Sequence, residues 1–459
     1  MLGKYYNKKT HILTIPADYN SLLTVFPPGT KKIIFEEEPI KRIFNIFNQE
    51  VDNLPNSITH LIFGTWFNQK IDNLPTSLTH LTLGTEFNQP VHATRKNKNF
   101  TSVLKNNSIF NDDHLLSAHK YAKVANIVCL PSSLTHLTFG YNFDQQVDNL
   151  PNNLTHLTFG YHFNQSVDNL PNTLTHLTFE NVFNQKVDNL PSSLTDLTFG
   201  GMFNQQVDNL PNNLTHLTFG YQFNQKVDNL PSILTYLTFG WCFDKKVDNL
   251  PNNLTRLTFG ICFNQTVDNL PSSLTHLTFG KNFNQIIDAT HKNKIFTNTP
   301  KNNFVFDSNN LLGSHLCDPV ANCVCLPNSL IYLTFGYHFN QPVDNLPNTL
   351  IYLTLGKEFN QPVNNLPSTL TYLTLGKEFN QLVNNLPSTL THLTFGDYFN
   401  QQLNNLPNTL TYLKFGMYFN QIVDNLPSSI KKIIISKNEL LKKIPFDCKI
   451  ENEYGEIIM

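Results

Sequence analysis

Histidine recurs along this chain at intervals of twenty residues, twice lengthened to fifty-six. Imidazoles so spaced on a repeating backbone form a column that can bind or titrate as a group. The column reads His60, His80, His136, His156, His176, Asp196, His216, Tyr236, Arg256 and His276, then Tyr332, Tyr352, Tyr372, His392 and Tyr412. Imidazoles one step apart repel when protonated, so their titration is expected to be coupled and depressed; Asp196, between His176 and His216, could hold one of them charged. Glu180, which replaces a glycine, and Asp196 are the one acid pair that breaks the pattern, the minimum for general acid–base work. A second column, Asp148, Asp168, Asp188, Asp208, Asp228, Asp248 and Asp268, has cation-binding side chains without the glycine pattern of a calcium loop. Later steps carry Asn364, Asn384 and Asn404 there, which favours turn capping. His315, Cys317, Cys323 and Cys325 are zinc-ligand types, but a related segment keeps only His119 and Cys129 of the four, against a shared site. Cys242 and Cys262, one step apart, have disulfide spacing and are expected to stay thiols in a reducing cytosol. No metal, no cofactor and no catalytic residue is expected.

Bulk properties narrow the partners. With 459 residues, a net charge of -2 and 14% charged residues, no basic stripe for nucleic acid exists. No stretch approaches the roughly 18 apolar residues that span a bilayer. Lys4, Lys8 and Lys9 are not followed by the apolar run of a signal peptide. Seven cysteines without regular spacing form no disulfide framework. The expectation is a cytoplasmic protein with no nucleic-acid or membrane partner.

The elements that must position these columns follow from one unit, Phe-Asn-Gln-x-Val-Asp-Asn-Leu-Pro-x-x-Leu-Thr-His-Leu-Thr-Phe-Gly-x-x, read from Phe143 and numbered 1 to 20. The opening Phe occurs sixteen times between Phe47 and Phe419. Apolar residues fill positions 1, 5, 8, 12, 15 and 17. Alternation over 14 to 17 predicts a short β-strand with 15 and 17 inward and 14 and 16 outward. Pro at 9 cannot donate to a ladder, and Gly at 18 is expected to leave the strand with unusual dihedrals. A lone coil buries too little to fold, so successive coils must stack into one parallel sheet. Thr30–Phe35 and Ile430–Ile435 occupy the strand slot with paired lysines and read as charged end caps.

These residues resemble the FNIP repeat, a leucine-rich-repeat relative of social amoebae and of giant viruses that infect amoebae. The matching features are Phe163-Asn164, Leu170-Pro171 and the Leu-x-x-Leu-x-Phe-Gly ending. The resemblance implies a mainly β, leucine-rich-repeat-like solenoid with one parallel sheet, and for a viral member the host-cell cytoplasm. It divides the chain into an N-terminal cap over 1–46, a repeat solenoid over 47–438 and a C-terminal cap or tail over 439–459. Some viral relatives begin with an F-box, for which about 25 residues before the first cap strand are too few. The usual leucine-rich-repeat asparagine slot, position 20, varies here, and position 2 (Asn164) offers an alternative ladder.

The period breaks twice, near 92–129 and 288–325, each time by 36 residues, and the two insertions align with each other at an offset of 196. Both enter between positions 5 and 8, away from the strand face. Asn111-Asp112-Asp113 can cap a short helix from Leu115 to Lys123. On the repeat itself, positions 19 and 20 vary freely, which is how a fixed scaffold places recognition. The expected contact residues are His136, His156, Tyr161, His176, Asp196, His216, Tyr221, Tyr236 and Trp241, docking an unidentified protein partner; oligomeric state stays open. The competing readings are rings that merely cover the sheet, with Thr at position 16 bonding along it, an enzyme built on Glu180 and Asp196, and an array without a ligand.

Overall fold

The computed structural model describes residues 2–37, 44–93, 129–287, 323–324 and 326–458. Each twenty-residue unit makes one coil with a strand of three or four residues at positions 14 to 16 or 17, as in His136–Thr138 and His156–Phe159. Leu137 pairs with Leu157 and Leu157 with Leu177, in parallel and in register. Successive coils therefore lie on one another, and the fold is a leucine-rich-repeat-like β-solenoid.

The chain forms two compact units, Met1–Phe223 and Asn224–Met459. In the first, parallel strands run in register from Ile12–Ile15 to His216–Thr218. In the second they run from Tyr236–Thr238 to Lys449–Glu451. The lysine-bearing strands Lys32–Phe35 and Lys432–Ile434 are not outermost, because Ile12–Ile15 and Lys449–Glu451 add one further strand beyond them. The chain then reverses at both ends: Tyr6–Asn7 pairs antiparallel with Ile12–Leu13, and Glu451 pairs antiparallel with Ile457. Lysine alone does not blunt these edges; a short antiparallel return covers them.

Phenylalanine explains the interior. Rings at position 1 stack coil on coil (Phe143–Phe163, 6.1 Å between centroids; Phe243–Phe263, 6.1 Å), and where position 17 before them is phenylalanine the two rings stack closely, at 3.7 Å in Phe159–Phe163 and Phe259–Phe263. Thirty-seven Phe against two Trp is the composition of two such columns. The Gly at 18 is needed for a different reason than left-handed backbone. A Cβ on Gly160 would meet the Gly140 carbonyl oxygen at 1.9 Å, and one on Gly260 the Gly240 oxygen at 1.7 Å. Close stacking of this bend excludes any side chain. Glu180 is the exception, and there the ladder lengthens by one residue: Phe179 pairs with Phe159 and the Glu180 N–H reaches the Phe159 carbonyl at 3.3 Å.

Two polar ladders flank this core. Asn164 Oδ1 accepts the Asn184 N–H at 2.9 Å and Gln185 Nε2 at 3.2 Å, and position 2 repeats this from Asn48 onward. Displacement of the asparagine ladder from position 20 to position 2 is thus realised. At the Asp column, the Asn at position 7 of the next coil donates to the carboxylate (Asn189 to Asp168, 3.1 Å; Asn209 to Asp188, 3.1 Å), which makes the column a turn-bracing ladder.

Pairing continues across both insertions, Leu81 with Leu137 and Leu277 with Leu333. Each insertion is rooted on a two-residue parallel ribbon, His92–Ala93 with Cys129–Leu130 and Ile286–Ile287 with Cys323–Val324. The helix expected from Leu115 to Lys123 lies outside the described residues, as do the side chains of His315, Cys317, Cys323 and Cys325.

Candidate functional site

Strand alternation turns position 14 outward, and stacking then fixes the rings. In the first unit His60, His80, His136, His156 and His176 lie nearly parallel with centroids 4.1 to 4.2 Å apart. The hydroxyl that orients each ring is the Thr at position 13, not the Thr at 16. Thr135 Oγ1 lies 2.9 Å from His136 Nδ1 and 3.1 Å from the Thr79 carbonyl, which already accepts the N–H groups of Thr135 and His136 at 2.9 and 3.0 Å. Thr135 Oγ1 donates to the Thr79 carbonyl and lies within hydrogen-bond distance of Nδ1, which leaves Nε2 as the ring nitrogen that threonine does not engage. Thr195 likewise donates to the Asp196 carboxylate at 2.7 Å.

Burial, and then neighbouring imidazoles, hold His80, His136 and His156 below the ordinary imidazole range. Burial is the leading cause and the expected ring–ring repulsion adds to it. For His60 the second cause is the Lys32 ammonium, ahead of His136.

Asp196 sits between two rings, its Oδ2 3.4 Å from His176 Nε2 and its Oδ1 3.5 Å from His216 Nδ1. It therefore meets both histidines rather than one. Asp196 pairs with His176, whereas Glu180 lies four residues further along the chain, roughly 13 Å of backbone at about 3.3 Å per strand residue.

In the second unit the column becomes phenolic. His276, Tyr332, Tyr352 and Tyr372 stack at 4.2 to 4.3 Å, and Arg256 lies 5.4 Å over the Tyr236 ring. At the rim, Tyr141 and Tyr161 stack at 4.5 Å with the His162 ring edge-on to both. Tyr221 is 50% exposed in the first unit, and Trp241 is 45% exposed in the second. The expected contact residues thus divide between the units: Tyr236 and Trp241 belong to the second, the other seven to the first. Sequence reading missed a rim network in the second unit. Lys281 and Lys357 lie over the Tyr337 ring at 5.0 and 4.5 Å, and Lys377 Nζ meets Asp397 Oδ2 at 3.2 Å. Its signal was present as charged residues repeating at position 19. Cys242 and Cys262 are both free thiols, and burial pushes the Cys262 thiol up. No cluster of three potential metal ligands occurs among the described residues, and no helix among them is long and apolar enough to cross a membrane.

The repeat geometry has counterparts. The FNIP Repeat family model matches within 47–93, 126–291 and 323–438, more than half of the sequence. The chain belongs to the FNIP-repeat family. This FNIP-repeat chain is also similar to the solved giant-virus protein CroV588, described as a novel circular leucine-rich-repeat structure. The two share 37% identity and a TM-score of 0.68 over 96% of this chain and 65% of that one. It therefore spans less than two thirds of that protein's length. YopM from Yersinia enterocolitica WA-314, 19% identical, shares the fold with a TM-score of 0.55 over 98% of this chain and 88% of that one. A comparison with curated proteins returned no match.

Proposed function

We propose that this FNIP-repeat chain is a protein-interaction scaffold of the leucine-rich-repeat type that works in the cytoplasm and docks a protein along the outer strand face and the adjoining rim. The observation that carries this reading is how the outer column is stacked. Rings at position 14 spend their faces on one another, so a partner meets only their edges. In the first unit those edges carry Nε2 on rings whose centroids are about 4.1 Å apart. A row of imidazole edges at nearly the spacing of β-strands suits the polar groups of protein, above all carboxylate side chains or an extended backbone, and suits sugar or aromatic faces poorly. Asp196 is an internal instance of a carboxylate between two such rings, near Nε2 of His176 and Nδ1 of His216. Tyr161 and Tyr221 beside the column supply amphipathic anchors.

The test is site-specific photocrosslinking in cells that produce the protein. A photoreactive amino acid at 156 or 161 is expected to trap a discrete protein adduct, and the same residue at 188, on the turn-bracing ladder, to trap none. Equal adducts from both faces, or none from either, would remove the strand face as the docking surface.

A further inference from the structure

The outward column at position 16 is threonine in every coil from Thr82 to Thr394 and then changes once to lysine, Lys414, followed by Ile434. Lys414 is half-buried and lines a cavity of about 500 Å³ in the second unit. Lys377, Asp397 and Met417 from the rim turns line it as well, as do Glu453 and Tyr454 from the C-terminal turn. The charges nearby are already paired, apart from two. Lys377 is held by Asp397 at 3.2 Å, and Lys432 by Glu451 at 2.7 Å. Glu453, also in the lining, is exposed. The Lys414 ammonium makes no side-chain hydrogen bond or ion pair among the described residues. An ammonium at the wall of a cavity with no protein acceptor is free to take one from a ligand, and no other coil carries a cation at this slot.

We infer that this cavity is a carboxylate-binding site in which Lys414 is the anchor. A single ammonium matches a monoanion. Asp397 and Glu453 in the lining oppose a doubly charged phosphate more strongly than a singly charged carboxylate, while Ile434 and Met417 offer apolar surface and Tyr454 a hydroxyl donor. The ligand is a carboxylic acid with an apolar neighbour, as at the end of a polypeptide or on an acidic side chain. This site lies on the strand face and rim of the second unit, away from the histidine column and Tyr161, so the ligand titration can fail while the crosslinking at 156 and 161 succeeds, and the reverse.

The full chain is titrated, by saturation-transfer NMR, with N-acetylleucine as a chain-end carboxylate, N-acetylaspartic α-amide as a side-chain carboxylate, and N-acetylleucinamide as the uncharged control. At least one acid is expected to bind tenfold or more tighter than the amide, and whichever acid does so identifies the source. Lys414→Thr restores the residue of the other coils, so it is expected to keep the melting temperature while losing that preference; Lys414→Arg is expected to retain it, and Lys414→Gln serves if the threonine variant fails to fold. Equal binding of acid and amide, no binding of either acid at tens of millimolar, or a charge-removing variant that binds like the unaltered protein would overturn the assignment.

Discussion

The imidazole of His136 has a neighbouring ring above and below and a threonine hydroxyl at its Nδ1. Burial first, and neighbouring imidazoles second, lower its pKa and those of His80 and His156. The sign follows from linkage. The unfolded chain binds protons on these rings near the ordinary value of about 6.5, whereas the folded chain binds them only at lower pH, so stability is full above that value and is lost as pH falls below it. Thermal melts between pH 7.5 and pH 5 should show a falling midpoint, and His136→Gln with His156→Gln should flatten that slope; an unchanged slope would contradict the account. Glycine at position 18 has a larger role per residue. In Gly260→Ala the new methyl would meet the Gly240 carbonyl oxygen at 1.7 Å, and a cost of about 3 kcal/mol is expected in urea unfolding. Part of this scale was legible from sequence. The outward histidines follow from alternation alone, whereas the role of Thr135 did not, because its other contact, the Thr79 carbonyl, comes from the neighbouring coil across an insertion. The reason for glycine was likewise misread from sequence: dihedral freedom and close approach require the same residue type, and only the stacking distance separates them.

At the scale of the coil, side-chain ladders brace what the strands alone leave loose. Asn164→Ala removes the acceptor of the Asn184 N–H and of Gln185 Nε2 and should cost about 2 kcal/mol. Asn164→Asp should be tolerated, because Asp144 already accepts the same two kinds of donor, from Asn164 and Gln165. A melting series in which the alanine and aspartate variants behave alike would remove the ladder from the account. The insertion roots expose the same logic in reverse. Asp72 has a buried Oδ1 without a partner among the described residues, and burial raises the pKa of Asp268. In both cases the next coil carries alanine, Ala93 and Ala289, in the slot where other coils place the donating asparagine. Asp72→Asn and Asp268→Asn are therefore expected to raise the melting temperature at pH 7, by an amount equivalent to about 1 kcal/mol each. A fall in either would mean that the carboxylate is stabilised by something else. The Asp column suggested cations or turn capping from sequence, and only the register of Asn189 against Asp168 decides between them.

For the whole molecule, twenty-residue phase is the quantity that matters. Removal of residues 343–362, one full period inside the second unit, should leave a cooperative fold with the same circular-dichroism shape. Removal of 343–352 alone should unfold that unit, because every leucine after the cut would change face. If the ten-residue deletion folded as well as the twenty-residue one, register would not be what specifies the structure. Strand positions and register were legible because the period repeats sixteen times and averages out local ambiguity. The rim was less so: Lys377 and Asp397 are twenty residues apart and become partners only once coils are stacked. The end returns at Tyr6–Asn7 and Ile457 carry no trace of the repeat and had no periodic signal to reveal them.

Leu81 meets Leu137, and Leu277 meets Leu333, as if nothing stood between them in the chain. Any segment that departs and returns at the same point of the period is invisible to the stack. Copying errors that add or drop whole periods, or graft a foreign stretch at that joint, would yield folded offspring at once. Length and ornament are then free to drift in such a lineage while the interior stays fixed.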